Sequence, residues 1–298
     1  MLNIALIGAG QLGSRHLQGL ALLSQPARVT VVDPFPASLA TAQERFAQVE
    51  QQNIEAVFTQ SFDELPQVLD GAVVATGADR RREAVERLLA RSRVRVALLE
   101  KVLFQRSEDY SAIGTLLDKT GTRAWVNCSQ RLWPFFRDLR PKTLGKSNVR
   151  ITVRGANWGL GCNAIHNLDL LSFMTGSAKC RLESKLDAGT VPSKRPGFIE
   201  FTGTLAALGE NGNQVIQTSD REGDAPFEIE VKTPELQSTW RVTDPTPRQS
   251  QLTHTVLAQM IDRGTSVLPG YAESAALHVP MLEVFLRHQG SGEVCAIT

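Results

Sequence analysis

The sequence predicts an α/β Rossmann domain, a doubly wound parallel sheet, followed by an α+β domain with a mostly antiparallel sheet. Three observations predict it. A glycine-rich turn, Gly8-Ala-Gly-Gln-Leu-Gly13, follows a short apolar run and opens a helix-like segment. Strand-like and helix-like segments then alternate through the first part of the chain, the rhythm of βαβ units. Beyond that, strand-like stretches succeed one another with little helix between them.

Taken in order, residues 4–7 form an apolar run, and residues 12–23 carry apolar side chains at helical spacing. Residues 29–32 are β-branched and end at Asp33, 39–49 are helical, and 72–75 are apolar and end at Thr76-Gly77. Residues 83–90 are helical, and 94–99 form a strand that ends at Glu100-Lys101. Near-continuous apolar strands imply a sheet covered on both faces, and in such sheets ligands lie beyond the carboxyl ends of the strands. The second half reads as strands at 149–153, 181–186, 198–205, 214–217, 227–231 and 239–242, with helices at 163–174 and 273–288. Alternation at Val149, Ile151, Val153 and at Phe227, Ile229, Val231 implies one buried face. The Pro/Thr-rich residues 243–247 read as a loop. The expected division is 1–122 for a dinucleotide-binding domain and 123–298 for substrate binding and oligomerisation.

Composition narrows the partners. The 298 residues are 42% hydrophobic and 21% charged, with a net charge of +1. Such a chain has no long-range field to recruit nucleic acid or an anionic membrane, so a small-molecule partner is expected. The N-terminal apolar run breaks at Gly8, too short for a secretion leader or a membrane span. Cys128, Cys162, Cys180 and Cys295 include no CxxC pair, so no disulfide framework or metal site is expected, and a reduced cytoplasm is.

The glycine motif carries the cofactor reading. Gly8 permits the tight turn, Gly10 lets the backbone approach a pyrophosphate, and Gly13 allows close helix–strand packing. The helix N-terminus supplies N–H donors and positive dipole to the phosphates. Asp33 ends the second strand, about twenty residues on, where a carboxylate accepts hydrogen bonds from the ribose hydroxyls. It would repel a 2′-phosphate, and Pro34-Phe35 offers no arginine, so NAD is favoured over NADP.

Two further groups carry chemistry. Lys101, at the end of a central strand, can hydrogen-bond a substrate oxygen and exchange a proton as hydride moves at the adjacent carbon; alone, Glu100-Lys101 also fits a surface pair. Cys162, His166 and Asp169 stand at i, i+4 and i+7 and share one helix face. His166 is the proton-transfer candidate, since its ordinary pKa is about 6.5, with Asn163 and Asp169 to orient it. A Cys162–His166 metal pair would need more ligands, and a thiol nucleophile would leave the glycine motif unexplained. Arginines crowd positions 80, 81, 82, 87, 91, 93 and 95. A solvated helix with Glu83 and Glu86 is the preferred reading; the sharper one gives Arg80–Arg82 a phosphorylated or nucleotide-linked substrate.

The chain resembles the Gfo/Idh/MocA family of sugar-type oxidoreductases. The resemblance rests on residues 8–16 (GAGQLGSRH), Glu100-Lys101, residues 127–134 (NCSQRLWP), residues 159–169 (GLGCNAIHNLD) and the Leu-Pro-Gly-Tyr stretch from Leu268, in family order over nearly the whole chain. It implies an NAD-dependent enzyme acting on a hydroxyl or ketone of a sugar or sugar derivative, and homodimers or homotetramers built on the C-terminal sheet. It implies catalytic roles for Lys101 and His166. It adds Gln11, Leu12, Thr76, Glu100, Lys101 and Asn127 to the cofactor site, and Arg131, Trp158, Cys162, Asn163 and Asp169 around the substrate. Three departures stand out. Val102 replaces the proline of the family's Glu-Lys-Pro, Cys162 replaces an aspartate four residues before the histidine, and Arg81 replaces a histidine. A thiol with ordinary pKa of about 8.5 substitutes poorly for that carboxylate near neutrality. These changes keep open an NAD-binding regulatory member, and the compact length a biliverdin-reductase-like enzyme.

Overall fold

The computed structural model describes residues 1–50, 53–290 and 292–298. In chain order the first elements are β1 (Leu2–Ile7), α1 (Gln11–Leu20), β2 (Ala27–Val32), α2 (Pro36–Ala47), β3 (Ile54–Thr59), β4 (Val68–Val74), α3 (Ala78–Arg91), β5 (Arg93–Leu99), α4 (Ser107–Thr120) and β6 (Arg123–Val126). Then come α5 (Pro134–Thr143), β7 (Arg150–Arg154), α6 (Leu160–Thr175), β8 (Cys180–Leu186), β9 (Val191–Pro192), β10 (Ile199–Glu200) and β11 (Gly203–Gly209). The last are β12 (Gln214–Ser219), β13 (Glu228–Lys232), β14 (Gln237–Arg241), α7 (Gln249–Arg263) and α8 (Tyr271–His288).

The chain forms two compact units, and neither is continuous in sequence. The first comprises Met1–Leu103, Asp109–Asn127 and Pro247–Tyr271; the second comprises Phe104–Glu108, Cys128–Thr246 and Ala272–Thr298. The expected boundary after residue 122 thus moves to Asn127, because β6 pairs in parallel with β5 and Asn127 N–H donates to Leu99 O at 2.8 Å.

In the first unit six parallel strands run β3-β2-β1-β4-β5-β6, the doubly wound order with a reversal between β1 and β4. The apolar runs explain the layering: Ile4–Ile7, Val73, Val74, Leu98 and Leu99 are all buried. Helix α7, unexpected from its Gln/Thr-rich start, returns from far along the chain to lie against α1. A Cβ on Gly19 would stand 2.8 Å from Thr253 Cβ, so the two helices meet at backbone distance.

In the second unit six strands run β14-β13-β7-β12-β11-β8. All neighbours are antiparallel except β7 and β12, which matches the expected mostly antiparallel sheet. Ile151, Val153, Leu205, Val215, Ile229 and Val231 alternate onto one buried face, which α6 covers. The strand expected at 198–205 breaks into β10 and β11. Gly203, at φ +98°, leaves no room for a side chain: a Cβ would lie 2.6 Å from Lys185 O.

Candidate cofactor and catalytic sites

The turn after β1 is built by the two outer glycines. Gly8 has φ +93°, a conformation that favours glycine. A Cβ on Gly13 would stand 1.9 Å from Gly8 O, so only glycine lets α1 start this close to the strand. At Gly10 a Cβ would meet no protein atom within 4 Å. No described protein atom fills the approach to that backbone. Asp33 is buried, and its carboxylate accepts from Ala9 N–H at 2.7 Å and from Phe35 N–H at 2.9 Å. One bond to each oxygen fixes the carboxylate and leaves lone pairs for hydroxyl donors.

At the carboxyl ends of β4 and β6, two buried polar atoms have no hydrogen-bond partner among the described residues: Thr76 Oγ1 and Asn127 Oδ1. Buried polar atoms are ordinarily satisfied, so a polar ligand completing them fits the cofactor reading of both residues. Glu100 is different. It is sealed from solvent, and its carboxylate accepts from His16 Nε2 at 2.9 Å, from Asn127 Nδ2 and from Lys101 N–H at 3.3 Å. Gln249 and Thr253 of α7 close the network. Asn127 Nδ2 also donates to Gln249 Oε1 at 2.9 Å, and Thr253 Oγ1 lies 3.0 Å from His16 Nδ1. Burial alone would raise the Glu100 carboxyl, but the His16 and Asn127 hydrogen bonds and the Lys101 charge outweigh it and hold it at about 2. Its expected cofactor contact is therefore corrected: Glu100 is an internal anchor for the backbone that carries Lys101. Lys101 stands two residues beyond the end of β5, half-buried, and the Lys101–Val102 peptide is cis.

In the second unit, α6 presents Cys162, Asn163 and His166 within its first turns. Cys162 Sγ–H donates to Gly159 O at 3.5 Å and Cys162 N–H to the buried Glu200 Oε2 at 3.2 Å. Asn163 Nδ2 donates to Trp158 O at 3.0 Å, while Trp158 Nε1 donates to Thr218 O on β12 at 2.8 Å. His166 lies one turn on, half-buried. Asp169 was expected to orient it. Instead both its oxygens are held by Arg131, at 2.8 and 2.7 Å, and Arg131 also reaches Glu273 at 2.6 Å. Burial pushes the Asp169 carboxyl up, and the two-pronged Arg131 fork pulls it back down. Asp169 and Arg131 are thus committed to a buried ion network. Among the described residues no three His, Cys, Asp or Glu side chains group as metal ligands.

Residues 2–128 match the Gfo/Idh/MocA family pattern, described as an oxidoreductase family with an NAD-binding Rossmann fold. Residues 2–128 thus carry the pattern of that family's NAD-binding domain. A myo-inositol dehydrogenase, Hyg17 of Streptomyces leeuwenhoekii, is 29% identical over 153 residues, 51% of this chain and 44% of that protein. The match therefore spans less than half the length of this relative. A putative myo-inositol dehydrogenase of Sinorhizobium meliloti 1021 superposes with a TM-score of 0.72 at 18% identity, covering 97% of this chain and 98% of that one. The scyllo-inositol dehydrogenase of Lactobacillus casei, solved with NAD(H) and scyllo-inositol, gives a TM-score of 0.69 at 15% identity, covering 96% and 97%. At these identities the superpositions establish the shared fold.

The family's cofactor is NAD, and the clear approach at Gly10, the Asp33 carboxylate, Thr76 and Asn127 fit it. The arginine that stands where the resembling family has a histidine turns inward. Arg81 is buried and donates to the carbonyls of Val102, Leu103 (3.0 Å) and Thr76. Arg82 pairs with Glu86 and Asp109, and Arg80 with Asp79. Arg81 is thus spent on backbone carbonyls within the protein, while Arg80 stays exposed and Arg82 part-exposed in surface ion pairs. His16, Gln249, Thr253 and Glu200 escaped the sequence reading of the site. The only signal for His16 was its place in the segment GAGQLGSRH; the others gave none.

Proposed function

We propose that the chain is an NAD-dependent dehydrogenase that moves hydride between the nicotinamide and a hydroxyl-bearing carbon of a sugar, a nucleotide-linked sugar or a cyclic polyol. The observation that carries this reading is Lys101, set at the end of β5 on a backbone that the buried Glu100 holds, in an NAD-binding domain of this family. The inositol dehydrogenases among its relatives support the polyol class. NAD, when bound, supplies the hydride acceptor. The Lys101 amine donates to the reacting oxygen and concentrates charge as that oxygen changes between hydroxyl and carbonyl. His166 takes the hydroxyl proton in oxidation and returns it in reduction. Cys162 replaces a carboxylate, so proton transfer falls on these two groups.

Homodimers or homotetramers would form through the face of the second sheet away from α6. Cytoplasmic residence accords with four free cysteines, and no helix among the described residues is long and apolar enough to cross a membrane.

The test is turnover with a panel of inositols and sugars. Lys101→Ala and His166→Ala should each lower kcat by about 10²–10⁴, with NAD affinity unchanged. Full activity in both variants would discard the mechanism. An intact chain that binds NAD yet oxidises nothing in the panel would favour a regulatory member, the reading that Cys162 keeps open.

A further inference from the structure

Between α1 and α2 lies an arginine that the cofactor motif does not include. Arg45, in the last turn of α2, sends its guanidinium along α1 to that helix's first turn. Nη1 donates to Gln11 O at 3.0 Å and to Ser14 Oγ at 2.5 Å, and Nη2 donates to Gln11 Oε1 at 2.6 Å. The backbone at Arg45 is tied to α1 as well, because its carbonyl oxygen accepts from Gln18 Nε2 at 3.0 Å. Every acceptor of the guanidinium is neutral, and among the described residues no carboxylate pairs with it. The first turn of α1 contains no acidic residue, and Gly10 caps it without a side chain.

We propose that Arg45 is a positioning residue for the NAD pyrophosphate. It keeps an unneutralised positive charge at the start of α1 and clamps Gln11 so that its amide nitrogen turns away from the guanidinium, ready to donate. A planar fork suits this task, since one group grips a carbonyl, an amide and a hydroxyl at once. The charge adds to the positive end of the helix where a phosphate is stabilised. The clear space at Gly10 gives an anion access to the same turn.

The experiment measures binding, so it is independent of substrate and turnover. Calorimetry with NAD and, separately, adenosine would be run on the wild type, Arg45→Ala and Arg45→Lys, with thermal melts beside them. Arg45→Ala should weaken NAD roughly tenfold at low salt and leave adenosine affinity unchanged. The loss should shrink at high salt, as expected for a partly exposed charge, and Arg45→Lys should recover part of it. NAD affinity unchanged in Arg45→Ala overturns the proposal. An equal loss for NAD and adenosine also overturns it, because that pattern means a role in packing α1 against α2.

Discussion

His16 Nε2 stands 2.9 Å from Glu100 Oε1, with both side chains sealed from solvent. A carboxylate only accepts, so Nε2 carries the proton, and Nδ1 faces Thr253 Oγ1 at 3.0 Å. This pair ties the first helix of the Rossmann unit to the end of β5, one residue before Lys101. Four predictions follow from it and from the surrounding geometry.

Acid should destabilise the protein through Glu100. Its folded-state pKa, about 2, lies below the ordinary 4.5. A lowered carboxylate pKa contributes stability that is complete above the ordinary value and is lost as pH falls towards the folded one. Unfolding free energy should therefore drop between about pH 4.5 and pH 2, by up to about 1.4 kcal/mol per pH unit. Glu100→Gln should flatten that slope in urea titrations; an unchanged slope would show that other groups govern it.

The glycines of the turn should separate into structural and binding roles. Gly13→Ala forces a methyl group into Gly8 O and should lower the melting temperature as well as NAD affinity. Gly10→Ala meets no protein atom within 4 Å. It should melt like the wild type while binding NAD at least tenfold more weakly.

Asp33→Ala should narrow the preference for NAD. Losing the carboxylate removes acceptors for ribose hydroxyls and also the charge that repels a 2′-phosphate. Titrations should show NAD affinity falling and NADP affinity rising. Equal losses for both cofactors would mean that its bonds to Ala9 and Phe35 N–H are its whole role.

Asp169→Asn should act on stability. The change leaves the buried Arg131 with one carboxylate fewer, and breaking a buried pair from one side costs about 3–5 kcal/mol. Denaturant unfolding should show a loss of that order, whereas NAD affinity stays that of the wild type. A variant as stable as the wild type would argue against the ion network.

The sequence by itself determined the alternating βα build of the first unit, the tight turn at Gly8–Gly13 and the carboxylate at Asp33. Each is written in contiguous residues, because an apolar run, a glycine spacing and a strand end need no distant partner. The alternating strands of the second unit were legible for the same reason, but the break before Gly203 was not, because it depends on the close approach of Lys185 O. What only the tertiary structure decided is which polar groups are spent. Glu100 is used by His16, 84 residues away, and the Asn127 that joins it is held by Gln249, 122 residues on. Asp169 goes to Arg131, and Arg81 turns inward to Val102 and Leu103. Helix α7 was missed because its first turns carry few apolar residues, and its place against α1 depends on the close approach at Gly19. A buried hydrogen bond between residues far apart in sequence leaves no local periodicity, so the identity of a carboxylate can be read from the chain but its partner cannot.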